Sequence, residues 1–295
     1  MSESALELTV LGDRTRHRGV KAPEIVPQPW TDGLAVCPAL TEFDMIHLGV
    51  VTAFKPYRFV RPILSATLFL ACLGGEGHVL TDGEWVICKA GSAVLLQPHT
   101  PVEYYASGSS GWELVWVCYE RKDGKPSVAT VSSPGLADYQ PQPIFHAVEA
   151  LRTECLAVND PVCVRNLVDL VHRLVVRYAE PWRADDRLHQ IWEKVATDYA
   201  AEWSLDGLAR DAHCSAEHLR RLCQQQLGRS PMQHVTYLRL RRATELLSTT
   251  DFKVEMIAKE VGYHDPFAFS AMFKKWMGIS PTEYRQKGSA ARRPA

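Results

Sequence analysis

Histidine and cysteine are the residue types from which metal sites and nucleophilic centres are most often built, and this chain has 11 histidines and 8 cysteines. No two cysteines form a Cys-x-x-Cys pair, and several lie inside apolar runs, a pattern typical of small buried hydrophobic residues in a reducing compartment. The cysteines are Cys37, Cys72, Cys88, Cys118, Cys155, Cys163, Cys214 and Cys223. We therefore expect neither disulfides nor a zinc site.

A metal-dependent enzyme would bring several histidines and a glutamate onto one ion. Between residues 35 and 120 the histidines are His47, His78 and His99, with no His-x-His pair and no glutamate at the expected later spacing. No nucleophile–base pair, glycine-rich phosphate loop or zinc motif is present in the sequence either. We predict no catalytic residues, no metal and no cofactor.

The C-terminal third of the chain repeats one pattern at an interval of about 50 residues. Leu208–Ala209 matches Ile257–Ala258, and Ser230–Pro231 matches Ser280–Pro281. The interval grows by one residue at the turn inside the second copy. A repeat of this length indicates two copies of one small structural unit.

Each copy predicts a short helix, a turn and a second helix. Ser215 and Asp265 are N-cap residues, whose side-chain oxygens accept hydrogen bonds from free helical N–H groups. Gly228 and Gly278 end the second helices, since glycine readily adopts the left-handed conformation. The first helices are expected over 205–212 and 254–261. This arrangement is a helix-turn-helix, present twice.

The second helix of such a unit can enter the major groove of DNA and read base edges. A single unit is also compatible with a purely structural helical hairpin, but two units joined by a long helix over 231–247 favour DNA reading. The charge agrees: residues 186–295 carry 17 Lys and Arg against 13 Asp and Glu, whereas the rest of the chain carries 16 against 21.

The segment from about Leu188 to Gln286 resembles the DNA-binding domain of the AraC/XylS family. The resemblance is carried by motifs spread over a third of the chain. These are Leu208-Ala209, Ser215-x-x-His218-Leu219-x-Arg221-Leu222, Gly228-x-Ser230-Pro231, Arg239-Leu240-x-x-Ala243-x-x-Leu246-Leu247, Ile257-Ala258-x-x-Val261-Gly262-Tyr263-x-Asp265, Phe269-Ser270-x-x-Phe273-Lys274-Lys275 and Gly278-x-Ser280-Pro281-x-x-Tyr284-Arg285.

The resemblance implies that the second helices of the two units contact adjacent major grooves on one face of the DNA. By position, the contacting residues are Glu217, Arg220 and Arg221 in the first unit, and Pro266, Phe267, Ser270 and Lys274 in the second. Arginine can pair with guanine or with a phosphate, and glutamate can accept a hydrogen bond from cytosine N4.

The sequence departs from the family pattern at several positions. Ala271 stands where an arginine is common, and Pro266 and Phe267 replace polar residues, so we expect the second unit to read thymine methyls or DNA shape. Phe267 as a core aromatic is the alternative. Cys223 replaces a phenylalanine, and His213 replaces a glycine in the turn, where histidine tolerates positive φ.

The elements before the repeat are of a different kind. Short runs rich in Val, Leu, Phe, Tyr and Trp between residues 35 and 120 predict many strands, with hairpin turns at Thr81–Gly83 and Lys89–Gly91. Residues 121–142 predict a loop, and the apolar period over 143–180 predicts two helices. The expected division is an arm (1–30), a ligand-sensing and dimerisation domain (31–180), a linker (181–187) and a DNA-binding domain (188–290).

The β-segment with its two helices resembles, more loosely, the cupin-like sensor domain of the same family. The shared residues include Arg61-Pro62, Gly74 and Gly77, Ala90-Gly91, Gln97-Pro98, Tyr104, Trp112 and Trp116. The resemblance implies a ligand inside a barrel, with Arg61, Tyr104 and Trp116 as binding residues. The alternative is that the two aromatic side chains only fill the core and that the arginine forms a structural ion pair. Glu103 and Leu114 stand where a sugar-sensing member has histidines, so an identical ligand is not expected.

The predicted fold is α+β with two domains: a cupin-like β-barrel with two flanking helices, then an all-α domain with two helix-turn-helix units. The predicted function is a transcription regulator that binds a double-stranded DNA operator as a homodimer, responds to a small-molecule effector such as a sugar, and has RNA polymerase as a further candidate partner. The alternatives are a cupin-type enzyme with a helical appendage and a regulator without a ligand.

The N-terminal sequence has no apolar signal segment, and the apolar stretch Ile63–Leu73 is too short to cross a bilayer. We therefore expect a cytoplasmic protein without membrane contact.

Overall fold

The computed structural model describes residues 7–61, 63–98, 100–108, 110–120, 128, 130, 133–180 and 186–290. Within these residues a β-rich region is followed by helices. The strands are β1 (Leu8–Val10), β2 (Arg16–Lys21), β3 (Ala35–Val36), β4 (Met45–Ala53), β5 (Arg58–Arg61), β6 (Thr67–Gly74), β7 (Glu76–Thr81), β8 (Glu84–Lys89), β9 (Ser92–Leu96), β10 (Val102–Ala106), β11 (Trp112–Tyr119) and β12 (Leu136–Asp138). The α-helices are α1 (Gln142–Leu156), α2 (Pro161–Ala179), α3 (Asp186–Thr197), α4 (Leu205–Asp211), α5 (Ala216–Leu227), α6 (Pro231–Thr249), α7 (Val254–Glu260), α8 (Pro266–Met277) and α9 (Pro281–Ala290). A 3-10 helix, Pro38–Phe43, lies between β3 and β4.

The strands form two sheets, with the orders β1-β5-β10-β7-β8 and β12-β9-β6-β11-β4-β2-β3. Strand β11 shows how side chains alternate between two apolar layers, because successive residues of a strand point to opposite faces. Leu114, Trp116 and Cys118 belong to a cluster with residues of both sheets, including Val79 of β7. The residues between them, such as Val115, belong to a second cluster under α1 and α2. The first layer therefore lies between the sheets.

Helices α1 and α2 cover the outer face of the seven-stranded sheet. Ile144, Val148 and Leu151 of α1 are buried in the second layer, as the apolar spacing predicts. Asp160 begins α2 by accepting a hydrogen bond from the backbone N–H of Cys163, with proline in the first turn. The predicted pair of helices is confirmed, and the pair covers the outer face of the seven-stranded sheet.

The two copies of the C-terminal repeat have separate apolar cores. One core joins α3, α4, α5 and the first half of α6, and the other joins the second half of α6 with α7, α8 and α9. Helix α6 runs through both, and Trp276 packs against both. Arg239 of α6 donates hydrogen bonds to the carbonyls of Tyr199 and Ala201, and its guanidinium lies 5.7 Å from the ring centre of Tyr263. Each repeat is thus a compact unit on one shared helix.

A β-rich part followed by an all-helical part confirms the predicted α+β fold class, with α1 and α2 flanking the sheets. The many strands predicted between residues 35 and 120 are present, among them β4 and β6 to β11. The Thr81–Gly83 turn is a hairpin, because β7 and β8 pair directly across it.

Other expectations are wrong. The expected irregular arm, 1–30, contains β1 and β2, which pair with β5 and β4. Polar β2, with the sequence RHRGVK, has only Gly19 and Val20 fully buried, so its pattern gave no strand signal. Residues 89–91 form a turn but no hairpin, since β8 and β9 belong to different sheets.

The expected loop over 121–142 contains β12 and the start of α1, while 121–127, 129, 131 and 132 lie outside the described residues. Most of the expected linker, 181–185, also lies outside the described residues, and 186 and 187 already belong to α3. Strand β12 is short and is held by its pairing with β9. Such pairing with a distant strand has no local sequence signature, so the sequence did not predict β12.

Candidate functional site

The turn and caps around α5 have the geometry that a helix-turn-helix requires. The side chain of Ser215 accepts a hydrogen bond of 3.2 Å from the backbone N–H of His218, and Gly228 ends the helix at a φ of 68°. His213 adopts a φ of 51° in the turn, the left-handed conformation that glycine usually supplies. The prediction that histidine is tolerated there is confirmed.

One face of α5 is a solvent-exposed row of polar groups. Glu217, Arg220 and Arg221 are exposed on it, while Leu219 and Cys223 face the core. Nη1 of Arg220 lies 3.3 Å from Oε2 of Glu217, and Nη2 of Arg221 lies 3.1 Å from Nδ1 of His218. These contacts hold two guanidinium groups and a carboxylate side by side on a surface that none of the described residues covers.

Helix α8 presents an apolar side chain where α5 presents charge. Asp265 caps the helix by accepting hydrogen bonds from the backbone N–H groups of Phe267 and Ala268. The Phe267 side chain is 85% exposed, whereas Phe269 and Phe273 fill the core. The alternative that Phe267 is a core aromatic is therefore wrong. The remaining predicted positions on this helix are exposed or half-buried; they are Pro266, Ser270 and Lys274.

A cavity of about 80 Å³ lies inside the β-rich region. It is walled mainly by aromatic and aliphatic side chains, with a few polar groups among them. The lining residues are His17, Trp30, His47, Val51, Tyr57, Phe59, Arg61, Leu64, Leu68, Leu70, Val102, Tyr104, Leu114, Trp116 and Cys118. The structure thus brings together the three residues predicted from the sequence, Arg61, Tyr104 and Trp116.

Arg61 is held at the cavity by the strand at the start of the described chain. Its guanidinium donates hydrogen bonds of 3.1 Å to the carbonyl of Leu8 and 2.7 Å to Oγ1 of Thr9. The same group lies 5.2 Å and 5.3 Å from the ring centres of Trp30 and Phe59. Its Nη1 also donates to the carbonyl of Val60, and its Nε lies 4.0 Å from Oε2 of Glu7. Arg61 therefore joins β1 to the aromatic wall.

Two histidines supply neutral polar groups to the cavity. Burial lowers the pKa of His17 and of His47 to about 4, so both imidazoles are uncharged at neutral pH. His47 accepts a hydrogen bond from Nε1 of Trp116, whereas Nε2 of His17 is buried without a partner among the described residues. Neither histidine was among the sequence-predicted ligand residues, since His17 lies on the unrecognised β2 and His47 was considered only as a metal ligand.

Trp116 is fitted closely against the backbone of the neighbouring strand. A Cβ added at Gly49 would lie 2.5 Å from Cη2 of Trp116, so only glycine allows the indole to lie where it does. Gly49 pairs directly with Trp116 across β4 and β11. The orientation of the indole in the cavity is therefore set by two strands.

Among the described residues, no group of three or more His, Cys, Asp or Glu is arranged to hold a metal ion, and His99 lies outside them. The described helices include none that is long and apolar enough to cross a membrane.

Two family models match this chain. The model described as "AraC-like ligand binding domain" matches residues 54–152, which include most of the cavity lining. The model described as "Helix-turn-helix domain" matches residues 208–287, which include both repeats. Together the two matches span more than half of the chain. The chain belongs to the AraC/XylS family.

Proteins similar to this AraC/XylS chain extend along most of its length. The lactose operon transcription activator of Staphylococcus xylosus is 28% identical over 263 residues, which are 83% of this chain and 93% of that protein. The arabinose operon regulatory protein of Escherichia coli (strain K12) is 26% identical over 237 residues, 72% of this chain and 77% of that protein. A solved structure, the DNA-binding domain of AdpA with a target DNA, is 27% identical, covers 36% of this chain and 96% of its own, and has a TM-score of 0.35.

This AraC/XylS protein is a transcription regulator with a DNA-binding helix-turn-helix domain and a ligand-binding N-terminal domain. The sequence prediction that it is not an enzyme is confirmed by its relatives, and the alternative of a cupin-type enzyme with a helical appendage is wrong.

Proposed function

We propose that this regulator reads a bipartite operator through α5 and α8 and responds to a small polar ligand, a sugar or a related compound, bound in the cavity. The observation that carries the ligand proposal is the convergence of Arg61, Tyr104 and Trp116 on one cavity beside Nε2 of His17, which has no partner among the described residues. A concave, mostly apolar site with a few convergent polar groups is the usual form of a small-molecule site.

The chemistry of the lining favours a compact ligand with both apolar faces and hydroxyl groups. Aromatic faces such as those of Trp116 and Trp30 suit the C–H faces of a sugar ring. Arg61 can donate to hydroxyl or carboxylate oxygens, and the neutral imidazole of His17 can accept from or donate to a hydroxyl. The regulators of lactose and arabinose operons among the similar proteins support the same ligand class.

The cavity volume argues against a long ligand. One water molecule needs at least roughly 10–15 Å³ by this measure, so about 80 Å³ accommodates a handful of water-sized groups. The remaining alternative, a regulator without a ligand whose β-region serves only dimerisation, predicts no stabilisation by any small molecule.

For DNA, we propose that Glu217, Arg220 and Arg221 contact one major groove and that Pro266, Phe267, Ser270 and Lys274 contact the next. The first set presents hydrogen-bonding groups to base edges, and the second presents an exposed aromatic ring for thymine methyls. The first set follows the N-terminus of α5, whose positive helix-dipole end favours a nearby phosphate. The two sub-sites should lie about one helical turn apart.

We also propose that the regulator is a homodimer formed through α1 and α2. A second copy would cover exposed apolar side chains at the turn between these helices, Leu156 and Val158, and on α2, Val162 and Leu170.

RNA polymerase is a proposed partner at the promoter, and action on chromosomal DNA implies a cytoplasmic location. We retain 188–290 as the proposed DNA-binding domain and add β1 and β2 to the proposed sensor domain.

The deciding experiment is the selection of DNA sequences bound by the full-length protein from a random pool at moderate salt. Enrichment of a motif with two sub-sites about one helical turn apart supports the two-reader proposal. The absence of any enriched motif, with weak and strongly salt-dependent retention, contradicts it.

A thermal-unfolding screen of sugars and related compounds then tests the cavity. A compound that raises the unfolding temperature of the wild-type protein, and not of an Arg61→Gln variant, identifies the ligand class. If no compound in a broad library shifts the unfolding temperature, the ligand-independent alternative is favoured instead.

A further inference from the structure

The hairpin turn between β7 and β8 contacts both helix-turn-helix units at once. Asp82 forms an ion pair with Arg229, which follows Gly228, the C-cap of α5 in the first unit. Its second carboxylate oxygen, Oδ1, accepts a hydrogen bond of 3.0 Å from Nη2 of Arg229. Glu84, two residues on, lies 2.8 Å from Nζ of Lys275 in α8 of the second unit. One turn of the β-region therefore binds the C-terminal ends of both proposed DNA-reading helices.

The contact with the first unit is built into the interior. The Arg229 side chain is only 6% exposed, its guanidinium lies 4.1 Å from the ring centre of Tyr237, and Nη1 donates to the carbonyl of Ser133. An unpaired buried charge is strongly unfavourable, so moving Asp82 away from the buried Arg229 guanidinium would destabilise the structure. The Asp82–Arg229 pair thus anchors the turn to the end of α5.

The backbones at this contact also lie close together. A Cβ on Gly83 would be 2.7 Å from the carbonyl oxygen of Lys275, and one on Gly228 would be 2.0 Å from that of Leu136. The N–H of Gly135 donates a hydrogen bond of 3.0 Å to the carbonyl of Leu227. Both helix ends are therefore fitted against the β-region at backbone distance, and not only through long side chains.

The two units also contact each other directly. Their apolar cores are separate, but within the described residues α6 runs through both, Trp276 packs against both, and a Cβ on Gly262 would lie 2.8 Å from the carbonyl oxygen of Tyr199. The β7–β8 turn adds a further connection, at the C-terminal ends of α5 and α8.

We propose that the Asp82–Gly83–Glu84 turn is a positioning element that sets the relative placement of α5 and α8, and hence the spacing between the two operator sub-sites that this regulator prefers. The inference rests on the proposed two-reader function. Asp82 and Glu84 are positioning residues, because neither lies among the side chains proposed to contact DNA.

The turn is also connected to the cavity through the sheet. Tyr104 of the cavity wall pairs with Val79 of β7, three residues before Asp82. A ligand that moves β10 would therefore move β7 and the turn, and the preferred spacing would depend on the ligand. This gives a physical route from the cavity to the DNA-reading helices.

The test uses full-length protein and the operator found by selection, prepared with its natural spacing and with one base pair inserted or removed between the sub-sites. The variants are Glu84→Gln, Asp82→Asn and the pair, with Glu76→Gln on the same hairpin as the matched control. Glu84 is 64% exposed, so its substitution leaves the fold intact even where Asp82→Asn does not. Reversal of the exposed pair, Glu84→Lys with Lys275→Glu, tests rescue.

In the wild type and in Glu76→Gln, we expect about 10-fold weaker binding to the altered spacings. In Glu84→Gln and in the double variant this preference for the natural spacing should shrink, while binding to an isolated sub-site stays unchanged. The reversed pair should restore the spacing preference. An unchanged spacing preference in both variants overturns the inference while the two-reader function stands. If the wild type itself shows no spacing preference, the two-reader proposal fails and this inference fails with it.

Discussion

Nε1 of Trp116 donates a hydrogen bond of 2.9 Å to Nδ1 of His47. This contact requires Nδ1 of His47 to be unprotonated, so the imidazole is neutral with its hydrogen on Nε2. The lowered pKa of His47, about 4, has burial as its cause and agrees with that state. An indole and a neutral imidazole therefore form one fixed wall of the cavity.

Acid should destabilise the protein through these buried histidines. The folded-state pKa of His17 and His47 is about 4, below the ordinary value near 6.5. The unfolded chain takes up protons first as the pH falls, so the free energy of unfolding should decrease between about pH 6.5 and pH 4. Urea unfolding at pH 7.5, 6 and 5 measures this slope.

The contribution of His17 to that slope can be isolated. In His17→Gln the decrease between pH 7.5 and pH 5 should be smaller than in the wild type, because one group that protonates on unfolding is gone. His264→Gln, at an exposed turn position, is the control and should keep the wild-type slope. Equal slopes in all three proteins would show that the His17 imidazole is not held neutral by the fold.

Arg61 should contribute both to ligand binding and to the stability of β1. Arg61→Gln removes the hydrogen bonds to Leu8 and Thr9 as well as the charge over Trp30. We expect the variant to lose at least about 10-fold in ligand affinity, the size of a lost charged hydrogen bond, and to exchange the amide hydrogens of β1 faster. Ligand titration and hydrogen exchange measure the two effects.

Arg58→Gln is the matched control for Arg61, because Arg58 lies on the same strand but is exposed and paired with Glu103. Both properties should stay at wild-type values in this control. A ligand affinity that Arg61→Gln leaves unchanged would remove Arg61 from the binding site.

Dimer formation should depend on the exposed face of α2. Leu170 is 45% exposed there, and burial of a leucine side chain is worth about 1.5–3 kcal/mol. Leu170→Glu should therefore weaken the dimer by at least about 10-fold, measured by sedimentation equilibrium. Val26→Glu, at another exposed apolar position, should not change the association. A dimer that survives Leu170→Glu unchanged must use a different surface.

The sequence predicts the elements whose signals are local. Ser215 and Asp265 as caps and Gly228 and Gly278 as helix ends all occur as expected, since each acts on groups within one helical turn. Strands with regular apolar alternation were found for the same reason. Strand β2 was missed because its support comes from pairing with distant β4, which its own polar residues do not reveal.

The site was predictable only where its residues carried a family motif. Arg61, Tyr104 and Trp116 were found in this way, and they do line one cavity. His17 was missed because its position depends on the unrecognised β2. The Asp82–Arg229 pair joins residues 147 positions apart, and no spacing rule relates two side chains that only the docking of two domains brings together.

Arg221 should contribute to sequence recognition in the first sub-site. Arg221→Ala removes an exposed guanidinium from the reading face of α5, so binding to the selected operator should weaken by about 1–3 kcal/mol and the preference at one base position should relax. Selection repeated with the variant shows which position changes. Lys89→Ala, an exposed cation on β8, should leave the selected motif unchanged. If the Arg221→Ala motif matches the wild type at every position, Arg221 does not read a base.

Phe267 should contribute to recognition without contributing to stability. Its ring is 85% exposed in the first turn of α8, so Phe267→Ala removes almost no buried surface and should leave the unfolding temperature unchanged. If the ring contacts a thymine methyl, the variant should bind the operator a few-fold more weakly and lose the preference for thymine at one position of the second sub-site. Phe252→Ala, at a half-exposed phenylalanine in the loop before α7, should retain that preference. Loss of the thymine preference in Phe267→Ala would explain why a phenylalanine is kept so exposed on the surface. An unaltered motif in Phe267→Ala would mean that the second unit reads DNA through backbone contacts and shape alone.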